Sequence, residues 1–68
     1  MRYTFEEFCK KLRDRELYEH AKRLTDATFA HLDDEGFAVL NEIHREMMDK
    51  LNDEQFMMER YTDFLLTG

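Results

Sequence analysis

Sixty-eight residues with one cysteine, two glycines and no proline describe a single small domain, 1–68, with neither an internal disulfide nor a zinc-ligand set to staple it. Sixteen acids against ten Lys/Arg give a net charge of −6, unevenly spread: residues 1–31 carry seven cations and six acids, residues 32–68 three cations and ten acids. Such a field disfavours general nucleic-acid binding by the second half and favours a basic partner.

Glu, Lys, Arg, Leu, Met and Ala dominate, and β-branched residues are few, so the expected class is all-α. The stretch Met1 to Glu6 lacks the apolar run of a signal peptide. Nothing approaches the ~18 apolar residues needed to span a bilayer, so a cytoplasmic protein that does not bind membranes is expected.

In chain order, Thr4-Phe5-Glu6-Glu7 reads as a capping box, with Phe5, Phe8, Cys9 and Leu12 following at helical spacing. Helix one is expected over about 4–13. The next apolar set, Leu17, Ala21, Leu24 and Thr28, lies about 140° around from the Leu12 stripe. One straight helix cannot aim both at one core, so a break is expected at Arg13 to Arg15, with Asp14 capping a second helix over 15–30.

Leu32-Asp33-Asp34-Glu35-Gly36-Phe37 then returns nineteen residues later as Leu51-Asn52-Asp53-Glu54-Gln55-Phe56. Each copy offers a cap residue and first-turn carboxylates, as a helix start requires. Asp33 or Asp34 caps a helix over 34–51 whose broad apolar stripe includes Phe37, Val39, Leu40, Ile43, Met47, Met48 and Leu51. Gly36 weakens its first turn. Asn52 with Gln55 forms a second capping box for a helix over 53–66, lined by Met57, Met58, Tyr61, Phe64 and Leu65. The fold expected is a small bundle of three to four short helices. The competing reading is one helix from 34 to 66, a long hairpin that dimerises, because the apolar spacing also approximates heptads, spoiled at His44 and Glu54.

The chemistry-bearing residues are sparse. Glu16 and His20 lie one turn apart but have no second ligand pair of matching geometry, so no metal and no cofactor are expected. His44 falls on the apolar face of its helix, where a satisfied core or interface histidine is the ordinary reading, a pH-sensitive contact the sharper one. Cys9 shares the stripe of Phe5 and Phe8 and reads as a small buried hydrophobe. Apolar residues interrupt Asp33-Asp34-Glu35, so helix capping explains them better than a calcium loop. The basic cluster from Lys10 to Arg23 is interleaved with acids and reads as a salt-bridged surface; direct nucleic-acid contact is the minority reading. No nucleophile, base and orienting acid can be assembled, so an enzyme is not expected.

The capping box, basic helix end, second helix and Leu-x-Asp-start helix together resemble the Hha/YmoA family of small enterobacterial nucleoid modulators. Thr4, Phe8, Leu12 and Arg13 look like that family's Thr-x-x-x-Tyr-x-x-x-Leu-Arg opening, and Leu32, Asp34, Ala38 and Val39 like its Leu-Ser-Asp-start helix. The resemblance implies an H-NS-binding modulator of gene expression with Arg13 as a binding residue. It departs where the family's contact acid falls on Arg45, and in lacking the terminal tryptophan.

Residues alone suggest a non-enzymatic regulator or inhibitor that binds a basic protein through its two C-terminal helices. Leu40, Met47, Met48, Met58 and Tyr61 are the expected apolar anchors, and Glu42, Asp49, Asp53 and Glu59 the charged rim. The size and charge fit a phage or mobile-element protein, by analogy. The other expectation is a DNA mimic whose carboxylates, Asp33, Asp34, Glu42, Asp49 and Asp53, occupy a nucleic-acid-binding groove. A homodimer is the further expectation.

Overall fold

A computed structural model describes residues 3–67; Met1 and Arg2 of the N-terminal stretch, and Gly68, lie outside them. The described residues form a small all-helical bundle of three helices: α1 over Phe5–Phe29, α2 over Asp34–Leu51 and α3 over Glu54–Thr67. No helix among the described residues is long and apolar enough to cross a membrane.

The expected break at Arg13 to Arg15 does not exist, and the helices read over 4–13 and 15–30 are one helix of 25 residues. Its inward side follows buried Cys9, Glu16 and Ala27, with Phe5, Leu12, His20 and Arg23 half-buried in line, a run of helical intervals. Leu17 is 51% exposed, and Ala21 and Thr28 are exposed as well. The apolar set that implied a change of direction is thus largely outside, and the true seam passes through charged side chains. Asp14 caps nothing; it pairs with Lys10 at 3.0 Å along the surface of the same helix.

Thr4 caps α1 as expected, its hydroxyl accepting from the Glu7 N–H at 3.2 Å and donating to the Glu7 carboxylate at 3.1 Å. The other end closes with His31 in the left-handed region at φ 55°. There the His31 N–H reaches the Thr28 carbonyl at 3.2 Å and the Leu32 N–H the Ala27 carbonyl at 3.0 Å. This pair of bonds is the Schellman closure, in which glycine normally occupies the left-handed position.

Asp33 caps α2 by accepting the Gly36 N–H at 2.8 Å. The Leu32 side chain folds over Gly36 so closely that any Cβ there would overlap it. The glycine that weakens the first turn therefore admits the apolar residue preceding the cap.

Asn52 and Asp53 separate α2 from α3, which removes the single helix from 34 to 66. The cap of α3 is Asp53 rather than Asn52: its carboxylate accepts the Gln55 N–H at 3.0 Å. Asn52 instead ends α2, its N–H bonded to the Met48 carbonyl at 3.0 Å.

α1 sets the 42 Å long axis, since 25 residues at ~1.5 Å each span most of it. The apolar core sits toward its N-terminal end, where Phe8, Cys9, Leu51 and Met57 are buried together. Phe8 lies 5.3 Å from Tyr61 and 5.2 Å from Phe64, centroid to centroid, and Phe5 lies 5.5 Å from Tyr61. Tyr61 also donates its hydroxyl to the Tyr3 carbonyl at 2.6 Å, tying the start of the described chain to α3.

Two stability measurements check this account. His31→Gly should raise the unfolding free energy by about 1 kcal/mol, because glycine adopts a positive φ without the Cβ clash; no gain in chemical denaturation would refute the strain. Gly36→Ala should stabilise by about 1 kcal/mol in a Leu32→Ala background and by much less with Leu32 present. Equal effects in both backgrounds would mean that Leu32 does not occupy the space.

Candidate functional site

Midway along the hairpin formed by α1 and α2, the buried seam turns polar. Glu16, His20 and Arg23, at helical intervals of four and three, share one side of α1, and α2 supplies His44. The Glu16 side chain is only 8% exposed, and its Oε1 accepts from the Arg23 guanidinium at 2.6 Å. The same oxygen lies 3.4 Å from His44 Nδ1, a contact whose donor depends on the tautomer. The His20 and His44 rings stack almost parallel, 4.0 Å between centroids and 7° between planes. His20 Nδ1 and Arg23 Nε are buried with no hydrogen-bond partner.

Burial of a carboxylate is costly unless it is paired, and here a guanidinium from its own helix supplies the countercharge. The His20 pKa is lowered from its ordinary value, first by burial and then by His44 and Arg23 nearby; Glu16 and Asn41 act in the opposite sense. His44 is the satisfied interface histidine that its place on the apolar face suggests. Hydrophobic periodicity does not reveal the cluster as a unit, because the seam it marks is apolar and this one is not. The signal was present in the spacing: Glu16 and Arg23 continue the intervals of Phe5, Cys9 and Leu12.

The residues expected to bind a partner are divided by the structure. Leu40, Met48 and Tyr61 are half-buried, and Met48 and Tyr61 pack on the core. Met47 and Met58 are exposed, at 40% and 46%. Glu42, Asp49, Asp53 and Glu59 are all exposed, but Asp53 is engaged as the α3 cap and Glu42 lies 3.9 Å from Arg45. Met58 borders a shallow depression along α3 with Gln55, Glu59, Thr62 and Asp63.

Two residues of the expected apolar stripe of α2 lie outside. Val39 is 58% exposed and Ile43 43%, and with Met47 they form a strip at i, i+4 and i+8 on α2. The three fall within an arc of about 80°, and Glu35, Glu42 and Glu46 occupy about 40° of adjacent arc. These acids are exposed as well. The broad stripe of α2 is therefore two surfaces: Leu40, His44, Met48 and Leu51 face inward, and the strip beside the acids does not.

Among the described residues, no group of three or more His, Cys, Asp or Glu side chains is arranged to hold a metal ion. No family model, curated protein or solved structure matches the chain.

The lowered His20 value fixes a sign for acid stability. Its stabilising contribution is complete above 6.5, the unfolded-state value. As pH falls below 6.5, the unfolded chain takes a proton that folded His20 resists, and stability declines until the folded pKa is passed. Denaturation midpoints should therefore fall between about pH 7.5 and 5.5, less steeply for His20→Gln than for wild type. Identical slopes would exclude His20 as the source.

Proposed function

We propose that this chain is a small, non-enzymatic regulator or inhibitor that docks a basic protein segment on the exposed face of its α2 helix, with Met58 on α3 as a secondary apolar contact. One observation carries the reading: Val39, Ile43 and Met47 stand in helical register in water, beside three exposed glutamates. Apolar patches rimmed by charge serve for recognition more often than scattered surface residues do, and the i, i+4, i+8 spacing suits a helix laid alongside.

The acids add long-range attraction for a cationic partner and disfavour acidic ones. Relative to the surface expected from sequence, the anchors are Val39, Ile43, Met47 and Met58, with Glu42, Asp49 and Glu59 retained as rim. The DNA-mimic alternative has weaker support, since Asp33 and Asp53 are both committed to helix caps. The nucleoid-modulator alternative keeps Arg13, which is half-buried, as its binding residue. A cytoplasmic setting remains part of the proposal.

Titration with a lysine-rich amphipathic helical peptide tests the reading. Binding should weaken about tenfold or more for Glu42→Gln with Glu46→Gln, and on raising salt from about 50 to 300 mM. It should disappear for Val39→Asp with Ile43→Asp while the circular dichroism of the protein is unchanged. Binding that persists in the aspartate variant would remove the α2 strip as the docking surface.

A further inference from the structure

The outward side of α1 carries a pattern that only a continuous helix brings together. Lys11, Arg15, Tyr18, Lys22 and Phe29 fall within an arc of about 60°, on the side away from Cys9, Glu16 and Ala27. All five are exposed, Tyr18 at 68% and Phe29 at 81%. Lys11 lies 5.2 Å from the centre of the Tyr3 ring; neither Arg15 nor Lys22 forms a salt bridge among the described residues. Glu7, Asp14 and Asp26 border this arc; Glu7 accepts from the Thr4 hydroxyl and Asp14 is paired with Lys10.

This basic, aromatic face spans about 27 Å, and the acidic, aliphatic face of α2 from Glu35 to Met47 spans about 18 Å. Their charges and apolar content are complementary, yet they cannot meet within one molecule, because α1 turns its outer face away from its own α2. On the reading that the α2 strip is a docking surface, we propose that its occupant is the outer face of α1 from a second copy of this chain. Tyr18 and Phe29 of one copy pack on Val39, Ile43 and Met47 of the next, and Lys11, Arg15 and Lys22 meet Glu35, Glu42 and Glu46. The interface joins two different patches, so every copy has one of each to offer, and the rotation between neighbours decides whether the assembly closes.

Charge exchange tests the pairing. Sedimentation velocity from about 10 to 500 µM should show wild-type mass rising above the monomer in about 50 mM salt and returning toward it in about 500 mM. Lys11→Glu with Lys22→Glu should leave a monomer, as should Glu42→Lys with Glu46→Lys, each with wild-type circular dichroism. Mixing the two variants should restore association, since each then presents the face the other lost. A monomer throughout the wild-type series, or either variant associating alone as strongly as wild type, would overturn the proposal. Wild type that stays monomeric yet binds the lysine-rich peptide would overturn self-association alone and leave the docking strip standing. A salt-sensitive assembly rescued by mixing would support self-association even if that peptide failed to bind.

Discussion

A carboxylate enclosed between two helices has few acceptable surroundings, and Glu16 has found one of them. Arg23 neutralises it from seven residues along α1, and His44 reaches it from α2. The second contact makes it a constraint on the fold as well as a local pairing. Sliding α2 by one helical turn would carry His44 about 5.4 Å away and break its stack on His20. Apolar side chains tolerate such slippage better than hydrogen-bonding groups do, so the polar seam specifies the register while the aromatic end holds the helices together.

Separating these two tasks shapes the rest of the molecule. The large apolar side chains gather toward the N-terminal end of α1, where α3 brings Tyr61 and Phe64 onto Phe5 and Phe8. Farther along, α1 and α2 meet through charged groups and the buried Ala27. A core so concentrated leaves part of the apolar stripe of α2, and two aromatic residues of α1, without an internal partner. The docking reading rests on that surplus.

Much of this was legible in the residues. Both acidic repeats do mark helix starts, Thr4 does cap α1, and the limits of α2 coincide with the spacing of its apolar side chains. The failures share a cause. Hydrophobic periodicity assumes that what is buried is greasy, and in α1 the buried side includes Glu16, with Arg23 partly covered, while Leu17 points to water. The same assumption merged Val39 and Ile43 with Leu40 and Met48 in one stripe, although the first two are exposed and the other two half-buried. Asp53 displaced Asn52 as cap by a single position, a distinction that composition cannot make between two good caps. His31 gave no warning, since a left-handed closure ordinarily announces itself with glycine.

The lone thiol of Cys9 gives the core an internal clock. Only 7% of that residue meets solvent, and it lies in the same cluster as Leu51 and Met57, so an alkylating reagent gains full access only when those helices part. Its labelling rate therefore rises with how often the aromatic end comes open. With one sulfhydryl in the chain, no competing site blurs that signal.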